Sequence, residues 1–186
     1  MSDSIDPPST RAAPDRRVQK TRAALLLSFN DLMRSQGLDA ISAADIAAHA
    51  NVGRSTFYEH FDGKDDILAH SVAEVLTPLA DCCVEPVFAE ELGALIEHFW
   101  QNRQMARPLM SGRRYLHLCK QLGDMIAERL GPDGVFPRAL VAQQLAHGQL
   151  ALIQAWLTGR HAATAEVVAR KLHASSYATA RILLSE

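Results

Sequence analysis

The sequence predicts an all-α protein, and three observations support that class. Ala and Leu are abundant whereas Gly and Pro are few, a composition that favours helices. Apolar residues recur at spacings of three and four along most of the chain. No run of alternating β-branched residues is long enough to build a sheet. We therefore expect about nine helical segments, in an N-terminal three-helix part and a larger C-terminal helical part.

Composition and charge exclude several classes of protein. The formal net charge of −2 at pH 7 does not point to a nucleic-acid-binding protein, but only a docking face must be positive. Three cysteines argue against a disulfide framework. The N-terminal stretch lacks the apolar core of a secretory signal, and no apolar run approaches the roughly 20 residues of a membrane span. A reducing cytoplasm is the expected location, with no membrane partner and no cofactor.

The first 14 residues are rich in Ser, Asp and Pro and have no periodic apolar face. We expect residues 1–14 to form a disordered tail. Such a tail either reaches a DNA groove or only keeps the protein in solution, and its residues favour neither role over the other.

The first helix is expected to run from near Asp15 to Gln36, where Gly37 stops it. Its apolar stripe comprises Val18, Leu25, Phe29 and Leu32. Its first two turns carry four basic residues, which either face DNA phosphates or form a solvated charged face. These residues are Arg16, Arg17, Lys20 and Arg22.

Residues 41–61 are expected to form two short helices joined by a tight turn. Ser42 is placed to cap the first helix, and Asp45, three residues later, completes a capping box. In the second helix, Phe57 and Phe61 are four residues apart and share the buried face. The front of that helix carries small hydroxyls, one Arg and one Tyr. An apolar rear with such a front suits a helix that enters the DNA major groove.

The remainder of the chain is predicted to be helical as well. GPDGVFP, at residues 131–137, is expected to be a loop. Residues 105–111 contain a Pro and are expected to form a break with a short turn of helix. The long helices are expected over residues 64–82, 88–102, 112–130, 138–157 and 164–184.

Residues 17–68 resemble the TetR family of bacterial transcriptional regulators. The resemblance rests on the long first helix with Phe29, on Gly37, and on the runs Ile41–Ala47, Val52–Gly53, Thr56–Phe61 and Lys64–Leu68. The rest of the chain matches the family only in helix number and length. The resemblance implies a helix-turn-helix DNA-binding domain over residues 15–69 and a helical effector-binding and dimerisation domain over residues 70–186.

The resemblance also implies a recognition helix from Arg54 to His60 and a set of DNA contacts. Base edges or phosphates would be contacted by Arg54, Ser55 and Thr56. Backbone phosphates would be contacted by Ser42, Tyr58, His60 and Lys64. Independently of the family, Arg54 is the only side chain of this helix that can read guanine with two hydrogen bonds. The implied partner is double-stranded DNA carrying a palindromic operator.

A homodimer is expected because one short recognition helix reads few bases. Two copies related by a two-fold axis read half-sites roughly 34 Å apart. The last two helices are the candidate interface, since each mixes small and large residues along one stripe. The alternative is that the same stripes pack within one chain. The expected interface residues are Val141, Leu145, Gly148, Leu152, Ala155, Ala165, Ala169, Leu172, Ser176, Ala180 and Leu183.

The middle helices are expected to hold a cavity for a small apolar or aromatic effector. Its binding would favour a state in which the two recognition helices no longer match the DNA. For each candidate residue taken alone, core packing is the commoner explanation. The apolar candidates are Phe88, Leu95, Phe99, Trp100, Met105, Met110, Tyr115 and Trp156. The polar candidates are His98, His117, Gln144 and His147.

Three other functions compete with a ligand-released repressor. The first is a DNA-binding regulator with no small-molecule effector. The second is a metal or thiol redox sensor, although the chain has no C-x-x-C or H-x-x-x-H motif and no metal site is predicted. Its candidate residues are Cys82, Cys83, Cys119, His98, His117 and His147. The third is an enzyme, which we do not expect because no glycine-rich phosphate loop, G-x-S-x-G motif or catalytic carboxylate pair is found.

Overall fold

The structure is a computed structural model that describes residues 16–132 and 136–185. The predicted disordered tail, residues 1–14, lies outside the described residues. Within the described ranges the chain forms nine α-helices, one short 3-10 helix and no strand. This confirms the all-α class and the expected number of helices. In the same ranges no helix is long and apolar enough to cross a membrane.

The chain divides into two compact units, one ending at Ile67 and the other beginning at Leu68. The first unit holds the two helices predicted for residues 41–61, preceded by the long first helix and the 3-10 helix. The bounds of these elements are α1 (Arg16–Gln36), the 3-10 helix (Leu38–Ala40), α2 (Ala43–His49) and α3 (Arg54–His60).

The buried face of α1 forms part of the core of the first unit. Leu25 and Phe29 are fully buried, and Leu32 is nearly so. Val18 was expected on the same stripe but is 45% exposed. The reason is that the first turns of α1, residues 16–20, are exposed throughout and extend beyond the core.

The capping box and the turn between α2 and α3 have the predicted geometry. The backbone N–H of Asp45 donates to the Ser42 hydroxyl (3.2 Å), and the backbone N–H of Ser42 donates to the Asp45 carboxylate (2.9 Å). The chain reverses at Asn51, whose φ of 54° lies in the left-handed region that Asn tolerates well. Phe57 and Phe61 are both buried, with ring centroids 5.9 Å apart, as their spacing predicted.

The helices of the second unit follow the predicted segments closely, with one difference. Residues 103–109 form a complete two-turn helix where only a break with a short turn was expected. Pro108 lies one residue before the end of this helix, so the hydrogen bond that its missing N–H costs is one of the last that the helix would form. The bounds are α4 (Lys64–Asp81), whose first turn belongs to the first unit, α5 (Glu90–Gln101), α6 (Arg103–Leu109), α7 (Gly112–Leu130), α8 (Arg138–Leu157) and α9 (Ala165–Leu184).

The core of the second unit lies between α7 and α8 and between α9 and its neighbours α5 and α8. Because α8 is packed on more than one side, most of its apolar residues are buried within the chain. For the buried residues this fits the alternative of intrachain packing, while the dimer interface itself stays a prediction. The expected interface residues that are buried in the chain itself are Val141, Leu145, Ala165, Ala169, Leu172, Ser176 and Ala180. Those that stay exposed or partly exposed are Gly148, Leu152, Ala155 and Leu183.

The buried side-chain amide of Gln149 forms a hydrogen bond at the C-terminal end of α4. Beyond this helix the N–H of Cys83 donates to Ala80, and the side-chain Nε2 of Gln149 on α8 donates to the Leu79 carbonyl at 3.0 Å. The same Nε2 lies 3.0 Å from the Ser176 hydroxyl of α9. Gln149 therefore links three helices through one side chain, while its own oxygen is buried without a hydrogen-bond partner.

Candidate nucleic-acid interface

The helix α3 has a buried apolar side and an exposed polar side. Phe57 is fully buried against the core of the first unit. The opposite side carries Arg54, Ser55, Tyr58 and Glu59, which are exposed, and Thr56 and His60, which are partly exposed. The six positions expected to face DNA or solvent thus share the accessible part of a two-turn helix.

Arg54 and Tyr58 form a small stack on that exposed side. They are four residues apart, and the Arg54 guanidinium lies 5.8 Å from the centre of the Tyr58 ring. The Tyr58 ring in turn meets the buried Phe57 ring edge-on, with centroids 5.3 Å apart. The arginine is therefore held against an aromatic ring that is itself fixed on the core.

Ser42 is already engaged in capping α2. Its hydroxyl donates to the Asp45 carboxylate at 2.6 Å and accepts from the Asp45 backbone N–H. These hydrogen bonds from the Ser42 hydroxyl and then from its backbone N–H lower the pKa of Asp45. The proton of this hydroxyl is therefore directed at a carboxylate, and a bond to a DNA phosphate would have to replace it.

The basic residues proposed for phosphate contact fall into two groups. Arg16, Arg17 and Lys20 are exposed in the first turns of α1. Arg22 is only partly exposed, and its Nη1 donates to the His60 carbonyl at 3.2 Å. Lys64 is also partly exposed, and its Nζ donates to the Leu38 carbonyl at 3.0 Å. The sequence did not reveal these two internal contacts, since they join residues 38 and 26 positions apart.

Most of the effector candidates lie outside the two cavities of about 380 and 220 Å³ in the second unit. All four polar candidates are exposed in the single chain, and Gln144 also lies at the cavity between α8 and α9: His98, His117, Gln144 and His147. Four of the apolar candidates belong to the buried core: Leu95, Phe99, Met110 and Trp156. The others are partly buried: Phe88, Trp100, Met105 and Tyr115. Trp100 and Trp156 stack on each other with ring centroids 4.8 Å apart, which is the core packing that was the commoner explanation.

Two cavities in the second unit have other walls. One of about 380 Å³ lies at the C-terminal ends of α4, α7 and α9, and one of about 220 Å³ lies between α8 and α9. The larger is lined by Cys83, Val84, Arg129, Leu130, Tyr177, Ala180, Arg181, Leu184 and Ser185. The smaller is lined by Gln144, Leu145, Gly148, Gln149, Leu152, Leu172, Ser175, Ser176 and Thr179. Of the twelve effector candidates, these two cavities include Gln144 alone.

The three cysteine thiols are buried and free. The hydrogen bond with the neighbouring Cys82 thiol, followed by burial, raises the pKa of Cys83. Burial also raises the pKa of Cys119. Both thiols are therefore neutral near pH 7, whereas metal binding and thiol oxidation need the thiolate. In the part of the chain that the structure describes, no three His, Cys, Asp or Glu side chains come together to hold a metal ion.

The first unit matches a known protein family. Residues 30–70 fit the model of the bacterial regulatory proteins of the tetR family. The HTH-type transcriptional regulator YxbF of Bacillus subtilis is 37% identical over 70 residues, which are 35% of this chain but only 18% of that protein. Because this match covers only a small part of the relative, it shows similarity over one domain.

Longer matches extend into the second unit. The HTH-type transcriptional repressor Rv3405c of Mycobacterium tuberculosis is 32% identical over 137 residues, which cover 70% of this chain and 69% of that protein. The solved structure of a TetR transcriptional regulator from Streptococcus agalactiae 2603V superimposes with a TM-score of 0.55 at 26% identity. That match covers 87% of this chain and 96% of the other. The chain therefore belongs to the TetR family of bacterial transcriptional regulators, which bind DNA through a helix-turn-helix.

Proposed function

We propose that this regulator is a repressor that binds a palindromic operator as a homodimer, with α3 in the major groove. The observation that carries the proposal is the exposed Arg54–Tyr58 stack on a helix whose other side is buried in the core. A guanidinium held in place loses less conformational freedom when it binds guanine N7 and O6 with two hydrogen bonds. The relative from Mycobacterium tuberculosis is a repressor, which supports repression over activation.

The DNA contacts divide by task in this proposal. Base edges are read by Arg54, Ser55 and Thr56 at the start of α3. Backbone phosphates are bound by Tyr58 and His60 from α3 and by the exposed cations of α1. Phosphate contacts of this kind supply affinity that falls with salt, whereas the base contacts supply the sequence preference. The cations of α1 are Arg16, Arg17 and Lys20.

The dimer interface is proposed on the outer faces of α8 and α9. Gly148, Leu152 and Ala155 are exposed along one side of α8. Gly148 and Leu152 border the 220 Å³ groove between the two helices, which also includes the small side chains of Ser175 and Thr179. Small residues let helices approach closely, so the same groove of a second copy can pack there in a four-helix arrangement.

The effector is proposed to be a small molecule with an apolar body, bound in the second unit. A cavity of about 380 Å³ at the ends of α4, α7 and α9 falls within the usual range of 300–1,000 Å³ for such sites. Its walls include Val84, Leu130 and Leu184. Because α4 runs from Lys64 to Asp81, a ligand at its far end could shift the equilibrium between DNA-binding and released states.

Selection from random double-stranded DNA tests the main proposal. The full-length protein should enrich a palindrome with half-site centres roughly 34 Å apart and a guanine in each half. Sedimentation at micromolar concentration should show a dimer. Enrichment of DNA without a palindrome would contradict the proposed dimer. A protein that sediments as a monomer and still binds the selected palindrome tightly would contradict it as well.

A thermal-shift screen of apolar and aromatic compounds tests the effector. A compound that raises Tm should also weaken operator binding if the regulator is ligand-released. Compounds that raise Tm and leave operator affinity unchanged, or a screen with no stabilising compound, would favour the regulator without an effector.

A further inference from the structure

Arg22 contacts the C-terminal end of the recognition helix. From α1, its Nη1 donates to the carbonyl of His60, the last residue of α3, at 3.2 Å. The same guanidinium lies over the ring of Phe61, 4.6 Å from the ring centre. Phe61 is buried and follows α3 directly, so Arg22 holds two consecutive residues at the point where the helix stops.

Such a contact matters because α3 is short. A helix of seven residues is far below the length of about 12–15 at which isolated helices become stable, so tertiary contacts must hold it. The last carbonyls of any helix lack intrahelical donors, and the carbonyl of His60 is one of these. A cation at a helix C-terminus also meets the negative end of the helix dipole. Arg22 supplies a donor and a positive charge at the same place.

The other basic residues of α1 differ from Arg22 in exposure. Arg16 and Lys20 are exposed, as expected for side chains that meet phosphates. Arg22 is partly buried against an aromatic ring, where its planar guanidinium both stacks and donates. A lysine can reproduce the donor and the charge but not the planar stack.

We propose that Arg22 is a positioning residue that sets the orientation of the recognition helix, rather than one of the phosphate contacts. This inference rests on the proposed function, in which α3 enters the major groove. Without Arg22 the end of α3 frays and its base-reading side chains lose their alignment. Sequence-specific binding then weakens most, while the salt-dependent part of non-specific binding, which comes from the exposed cations of α1, is preserved.

The test compares Arg22→Met with Lys20→Met, two variants that remove one cation from α1 and keep an unbranched side chain. Affinity for the selected operator and for unrelated DNA is measured by fluorescence anisotropy at several salt concentrations. Lys20→Met should lower both affinities and reduce the slope of log K against log salt by about 1.8, which is 0.9 for each of two protomers. Arg22→Met should lower operator affinity about tenfold, with the slope unchanged and a smaller loss of non-specific affinity.

Two further variants separate the possible roles of Arg22. Arg34→Met, which removes an exposed cation paired with Asp31 at the far end of α1, should change nothing. Arg22→Lys should recover only part of the operator affinity, because the stack on Phe61 is lost. Circular dichroism and Tm identify any unfolded fraction, for which the affinities are corrected.

Three outcomes would overturn the proposal or the part that the stack plays in it. An Arg22→Met slope reduced like that of Lys20→Met would make Arg22 a phosphate contact. A lower Tm with unchanged operator affinity would make its role only structural, and full recovery by Arg22→Lys would remove the need for the stack. If the wild-type protein enriches no operator, the proposed function itself fails, and that result is distinguishable from all three.

Discussion

The exposed side of Leu152 offers a quantitative test of the proposed dimer interface. Leu152 lies on α8 beside the groove between α8 and α9, and it is 39% exposed in the single chain. Full burial of a leucine side chain is worth about 1.5–3 kcal/mol, so burying the exposed part in a dimer is worth about 0.6–1.2 kcal/mol. Two-fold symmetry places the residue in the interface twice, which doubles the effect to about 1.2–2.4 kcal/mol.

Leu152→Ala should therefore weaken the dimer about 8- to 60-fold, with the lower part of that range favoured because Ala keeps one methyl group. Sedimentation velocity over a concentration series measures the dimer dissociation constant directly. Since Ala is the best helix former, α8 itself should be undisturbed.

Leu116→Ala is the matched control. Leu116 is on α7 and is 61% exposed, so it would lose more than Leu152 if its own face formed the interface. The dimer dissociation constant of Leu116→Ala should equal that of the wild type. A dimer weakened by Leu116→Ala and not by Leu152→Ala would refute the placement of the interface on α8 and α9.

Three further predictions concern stability and the thiols. Gln149→Leu should lower the free energy of unfolding by about 1 kcal/mol in urea titrations. The Leu79 carbonyl loses its amide donor, which destabilises the fold, and this loss is partly offset because one unpaired buried oxygen also disappears. A variant more stable than the wild type would contradict this. The hydrogen bonds from Ser42 lower the folded-state pKa of Asp45. They therefore stabilise the folded protein at pH values above the usual carboxyl pKa of about 4, and this stabilisation is lost as pH falls through the lower folded-state pKa. The Tm difference between wild type and Asp45→Asn should thus be present at neutral pH and vanish in strong acid. A Tm difference that grows in acid would contradict the lowered pKa of Asp45. Iodoacetamide should modify the three cysteines only after unfolding, as mass spectrometry can show, and rapid labelling of the folded protein at neutral pH would contradict their burial.

Periodicity predicted the helices well because each one buries a single stripe or face. The bounds of α7 and α8 agree with the prediction at both ends. In α3, the spacing of Phe57 and Phe61 was sufficient to assign both to the core. These features depend on local spacing alone, which a single sequence contains in full.

The partner that covers a stripe is not a local property, so spacing alone does not assign it. Leu172 and Ala169 share an apolar stripe on α9, but that stripe packs on neighbouring helices of the same chain. Spacing says that a face is buried and does not say against what. The same limit applies to Arg22, whose carbonyl partner on His60 is 38 residues away. A cluster of basic residues in one helix looked uniform, and only the fold separates Arg22 from the exposed Lys20.

The most direct test of the central claim is equilibrium binding of the Arg54→Ala/Tyr58→Ala variant to the selected operator. A guanine contact with two hydrogen bonds is worth about 1–3 kcal/mol of discrimination, and a dimer makes it twice, so operator affinity should fall roughly 30-fold to 20,000-fold. Because both side chains are exposed, the variant should keep the wild-type circular dichroism spectrum and remain a dimer. A folded, dimeric variant that still binds the operator with wild-type affinity would contradict the assignment of α3 as the DNA-reading helix.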